Sequence, residues 1–93
     1  MANDETAQLD LLQLDIEDIM RLMIGLTSSK SLQYLGVPME PDKEPQKDLK
    51  KARLAIDCTG FLAEKLEPYL PEEENKQLKA MISNLQLAFI KES

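Results

Sequence analysis

The sequence predicts an all-α fold of three main helices, at about 5–35, 46–67 and 71–91, on three observations. All five prolines fall in two breaks, Pro38, Pro41 and Pro45 just after Gly36, then Pro68 and Pro71. Each proline removes an N–H donor and disfavours helix at the residue before it. Between the breaks apolar residues recur at helical spacing, and no stretch alternates with the period of two that a half-buried strand requires. A chain of 93 residues has room for one hydrophobic core. The expectation is therefore a single helical domain over 1–93, with a proline-rich linker at 36–45.

In the first segment Ile16, Ile19, Met20, Leu22, Met23, Ile24 and Leu26 are apolar. At about 100° per residue they cover an arc of roughly 200°, twice the stripe that docking on one neighbour needs. Leu9, Leu11, Leu12 and Leu14 add more apolar surface. Self-association is the expected way to complete the bundle, most simply as a two-fold dimer. The start of the helix stays open: Asn3 or Asp4 could cap it, Asp15 could cap a second helix, and a break near Gly25 is the other alternative. Its end is clearer. Leu35-Gly36-Val37-Pro38 reads as a helix terminus with glycine in the left-handed position and proline beyond.

The second segment carries the cleanest period. Leu49, Ala52, Ile56, Thr59, Ala63 and Leu66 are spaced 3, 4, 3, 4 and 3, a heptad-like seam. Small residues at 52, 55, 59, 60 and 63 would let another helix backbone come close. Gly60 costs a helix about 1 kcal/mol relative to alanine, and a close approach would explain it. The third segment opens with Pro71 suited to the first helical position and Glu72, Glu73 and Glu74 suited to the positive end of the helix dipole. Leu78, Met81, Ile82, Leu85, Ala88 and Phe89 follow at helical spacing.

Composition removes several classes of function. There is no histidine and one cysteine. An internal disulfide, a Cys/His zinc site and any triad with a histidine base are excluded. Seventeen acids against eleven bases give a net charge of −6, which repels a phosphate backbone. The local basic run Lys43, Lys47, Lys50, Lys51 and Arg53 is diluted by acids and reads as a solvated helix start. The acidic Met1-Ala2-Asn3-Asp4-Glu5 does not resemble a secretory leader, and Ile16 to Leu26 is too short and too charged to cross a bilayer. The expectation is a cytoplasmic protein that binds neither nucleic acid nor membrane and needs no cofactor.

Three stretches together carry a resemblance. Leu35-Gly36 is followed by Pro38 and Pro41. Asp48-Leu49 leads into Ala52-Arg53, Ile56-Asp57, Leu62 and Glu64-Lys65. Leu70, Glu72 to Glu74, Leu78, Leu85 and Phe89 complete the pattern. Over about residues 32–90 the chain resembles a small bacterial family known only as domain of unknown function 1844. It departs from that family at Leu66, where threonine is usual, at Pro68-Tyr69, where Gly-Asn is usual, and at Pro71, where Thr or Ser is usual. The resemblance implies a small helical cytoplasmic protein with no assigned activity, and brings no catalytic residues with it.

Individual residues point the same way. Asp57 is placed to pair with Arg53 at i−4. Cys58, mid-helix beside an acid, lacks what activates a thiolate and is expected as a small buried hydrophobe. Consecutive acids such as Glu72, Glu73 and Glu74 point about 100° apart and do not converge on a metal. Met20, Met23, Met39 and Met81 are expected to fill the core. The sequence thus predicts a non-enzymatic, self-associating interaction module with a further protein partner it does not identify. Ile19, Leu22, Met23, Leu26 and Gly60 are the candidate contact residues. The alternative is a ligand-binding or enzymatic protein with a pocket between helices or subunits, using Asp57, Lys65 or Tyr34.

Overall fold

Helix α1 runs from Ile16 to Tyr34, α2 from Leu49 to Leu66 and α3 from Glu72 to Glu92, in a computed structural model that describes residues 10–93. Among the described residues there is no strand. The long first helix expected over 5–35 is shorter. Residues 10–12 are helical, and the chain then turns, with Gln13 N–H donating to the Asp10 carbonyl and Leu14 N–H to that of Leu11. Asp15 is the extended N-cap of α1, its carbonyl accepting from Asp18 and Ile19 N–H. Of the two open break points, Asp15 is the one used; α1 passes unbroken through Gly25. Residues 5–9 of the expected helix lie outside the described residues.

The end of α1 is built as the sequence predicts. Gly36 has φ of 99°, which places it in the left-handed region. Its N–H donates to the Gln33 carbonyl and that of Val37 to Leu32, the paired bonds of a Schellman motif. The linker then returns the chain alongside α1: Asp48 N–H donates to the Tyr34 carbonyl at 2.8 Å. The Asp48 carboxylate accepts from Lys51 N–H at 3.1 Å and caps α2.

Helix α2 is the centre of the molecule. Ala52, Ala55, Ile56, Thr59, Ala63 and Leu66 are buried, five of them seam residues, and Leu49 is half-buried. Helix α1 packs along α2, and α3 lies against α2 as well, while α1 and α3 touch each other far less. Ile24, Ala63, Leu66 and Leu70 form one core cluster, closed by Met20, Leu78, Met81 and Ile82. Leu35, Ala52, Ile56 and Leu85 form the other, closed by Leu32, Tyr34 and Phe89. Between them Thr59, fully buried, meets Thr27 hydroxyl to hydroxyl at 2.7 Å. One hydroxyl pair thus replaces an apolar contact where α1 and α2 come closest to the middle of the core.

A 3-10 turn at Glu67–Tyr69 joins α2 to α3. Pro71 occupies the N-cap of α3 rather than its first helical position, and its side chain cannot cap. Asn75 compensates from inside the helix: its Nδ2 donates to the carbonyls of Glu67 and Leu70. Helix α3 is fastened to α1 by Arg21, whose guanidinium donates to both carboxylate oxygens of Glu74 at 2.8 and 3.1 Å. The whole measures 40 × 39 × 20 Å, a slab about two helices thick.

Candidate functional site

The outer arc of α1 is one of the places where large apolar side chains stand in water. With Ile24 facing the core, 100° steps place Ile16, Ile19, Leu22, Met23 and Leu26 together on the far flank. Ile16 is 64% exposed, Leu26 59%, Leu22 43% and Met23 42%, while Ile19 is half-buried. Four of the five residues singled out from the sequence, Ile19, Leu22, Met23 and Leu26, therefore share one face. Gly60 is elsewhere. It faces α3 of its own chain and lines a cleft of about 160 Å³ with Leu78, Lys79 and Ile82. A Cβ added there would sit 4.0 Å from Ile82 Cγ2, an ordinary contact. The neighbour at Gly60 is a side chain, so the reading of a close backbone approach is corrected.

The face continues onto α2. Met23 and Thr27 from α1 and Asp57, Cys58, Phe61 and Leu62 from α2 enclose a largely apolar groove of about 320 Å³. Phe61 is 58% exposed, and Leu54, one turn before Cys58, is exposed as well. Leu54, Cys58 and Phe61 stand at i, i+4 and i+7, a second apolar stripe beside the buried seam of α2. That spacing was readable in the sequence, but the stronger seam next to it hid it.

Two expectations about buried residues are overturned. Cys58 is exposed rather than buried, because it sits 100° away from the seam residue Thr59, on the outward side. Of the methionines, Met20 and Met81 pack into the core, whereas Met23 and Met39 are exposed. Asp57 does meet Arg53, at 3.9 Å on the surface.

Asp57 and Lys65 lie eight residues apart on α2, about 12 Å of axial rise, so they do not converge. Among the described residues no three acids or cysteine cluster in a way that would hold a metal ion. Arg21 and Glu74 shift each other: the hydrogen-bonded guanidinium holds the Glu74 carboxyl below the usual glutamate range, and Glu74 in turn raises Arg21. Both are surface groups joining helices. Among the described residues no helix is long and apolar enough to cross a membrane.

A family model described as Domain of unknown function (DUF1844) matches residues 18–91. The match takes in all three helices except the first two residues of α1 and the last of α3. No curated protein matches the chain, and no solved structure does.

Proposed function

We propose a function for this chain, which belongs to the DUF1844 family: it is a small helical module, without catalysis of its own, that pairs with a second copy through the outer face of α1. The observation that carries this reading is the contiguous exposed face of Ile16, Leu22, Met23 and Leu26, extended by Phe61. Monomeric proteins rarely leave apolar side chains of this size grouped together in water. Each large aliphatic side chain moved out of water gains about 1.5–3 kcal/mol, so four or five of them offset the entropy lost on association.

A two-fold axis is the simplest arrangement, with α1 antiparallel to its copy. A reducing cytoplasm suits the exposed lone thiol of Cys58, which stays unpaired there. Sedimentation equilibrium at low micromolar concentration tests the reading. The expected mass is twice 10.6 kDa, falling on dilution. A mass of 10.6 kDa at every concentration overturns it. Leu22→Glu and Leu26→Glu, both at exposed positions, are expected to leave the helical spectrum intact and abolish pairing.

A further inference from the structure

The charge of this chain is divided unevenly along it. Six of its 17 acids and none of its 11 bases lie in the first twenty residues, so that stretch carries the whole net charge of −6. Within it Leu11, Leu12 and Leu14 are exposed, Leu12 at 72%, and Asp10 beside them is exposed too. Among the described residues Leu12 is the most exposed of the large apolar side chains.

At the other end of α1 lies a surface of the opposite kind. Lys30 of α1 and Lys51 of α2 both reach the Tyr34 ring, their Nζ atoms 5.0 and 5.9 Å from its centroid. Neither ammonium has a carboxylate within ion-pair distance among the described residues. Two unneutralised cations are thus held around one ring, an arrangement that favours an incoming anion. Beside them Val37 and Met39 are exposed, and the space they share with Tyr34 measures about 300 Å³. The acids on its rim are Glu40 and Glu44; Glu40 already faces Lys43 at 4.0 Å.

We infer that this pocket receives the acidic leucine segment of a second copy, Asp10 meeting Lys30 and Lys51 while Leu11 and Leu12 cover Val37, Met39 and Tyr34. The inference rests on the self-association proposed above and specifies what fixes its direction. Antiparallel pairing of α1 with its copy sets the N-terminal end of one helix beside the C-terminal end of the other, where Lys30 and Tyr34 lie. Both halves of the match, apolar and charged, then occur twice around the axis.

A charge exchange tests it. One variant carries Lys30→Glu with Lys51→Glu; the other carries Asp10→Lys with Gln13→Lys, all at exposed positions. Alone, each opposes like charges at both contacts, and its dimer dissociation constant is expected to rise at least tenfold over the wild type. Mixed, the first variant's pocket receives the second's basic segment, and the second's native pocket receives the first's native segment. Sedimentation of the mixture is expected to show a heterodimer close to wild-type affinity. Leu12→Ser, which removes no charge and touches no core residue, is expected to weaken the wild-type dimer as well. A wild-type dimer that both variants and Leu12→Ser leave unchanged overturns this inference and leaves the self-association reading standing. Variants that dissociate without recovering on mixing overturn it too. A wild-type monomer at all concentrations overturns both.

Discussion

Helices α1 and α2 are nearly the same length, 19 and 18 residues, yet they use their apolar residues in opposite ways. Helix α2 buries six residues, three of them alanines. Helix α1 buries two, Ile24 and Ser31, and leaves Ile16, Leu22, Met23 and Leu26 in water. The helix with the larger side chains is the less buried one. What places α2 at the centre is the narrowness of its seam: small residues admit α1 on one side and α3 on the other. Bulk on α1 cannot be used twice, since α1 has a single neighbour along most of its length. An apolar arc wider than its neighbour's groove is left for another molecule.

The comparison breaks first at its deepest point. Leu66 is fully buried in the cluster with Ile24, Ala63 and Leu70. Leu66→Ala is expected to cost about 2–5 kcal/mol in urea denaturation, the range for a cavity in a packed core. Leu26→Ala removes the same atoms from a residue 59% exposed and is expected to cost under about 0.5 kcal/mol at concentrations where the chain is monomeric. Equal losses at the two positions would mean that the α1 face is already covered.

The second test sits where the two helices share a polar contact. The Thr59 hydroxyl is within hydrogen-bond distance of both Thr27 Oγ1 and the Ala55 carbonyl, and Thr27 also reaches the Ile24 carbonyl. Thr59→Val is expected to cost about 1–3 kcal/mol, because a half-buried partner is left with one bond fewer. Thr59→Val combined with Thr27→Val should cost less than the two single changes added together, since no hydroxyl is then stranded. Strict additivity would show that the two hydroxyls do not interact.

Much of this architecture was legible in the residues. The proline breaks, the Gly36 terminus and the 3, 4, 3, 4, 3 seam each depend on a local rule, backbone φ or helical period, and each stands where the sequence put it. The start of α1 was not legible, because Asn3, Asp4 and Asp15 all satisfy the same capping preference; Asn3 and Asp4 lie outside the described residues. Cys58 and Gly60 failed for a different reason. Their surroundings depend on how far α2 is rotated against α1 and α3, and neighbouring residues on one helix differ by about 100° in what they face. The candidate face was half legible: a surplus on α1 can be counted, but the Phe61 stripe that extends it emerges only once α1 and α2 are packed together. The lysine pair at Tyr34 comes from two separate segments and has no signature in either.

The glycines provide a smaller test in the same pair of helices. Among the described residues nothing lies within 4 Å of a Cβ built on Gly25, and at Gly60 only Ile82 does, at 4.0 Å. Gly25→Ala and Gly60→Ala are each expected to stabilise by about 0.5–1 kcal/mol through the unfolded chain. A loss of stability at Gly60 would restore the close approach that the small residues of α2 suggest. Gly36→Ala, at positive φ, is expected to destabilise instead.

The smallest effect concerns the side-chain hydrogen bond that joins α1 to α3. Arg21 donates to Glu74 across the helices and to Asp18 on its own helix at 2.8 Å. Arg21 is pushed further up by this pairing and stays protonated throughout, so only the carboxylate titrates. The Glu74 carboxyl is lowered in the folded chain, chiefly by the hydrogen bond from Arg21. A group whose folded value is lowered contributes stability above its unfolded value and loses it as pH falls through the folded one. The loss therefore belongs to the acid side, beginning in the ordinary glutamate range and completing below it. Glu74→Gln should remove that part of the acid-limb slope, leave stability near neutrality only slightly reduced, and respond little to salt. The wild type should converge on the mutant in 1 M salt, where screening acts over about 3 Å. Thermal melts of both chains from pH 7 to pH 3 check the sign. If the two curves stay parallel down the acid limb, the ion pair does not fasten α3 to α1, and α2 alone holds the outer helices in place.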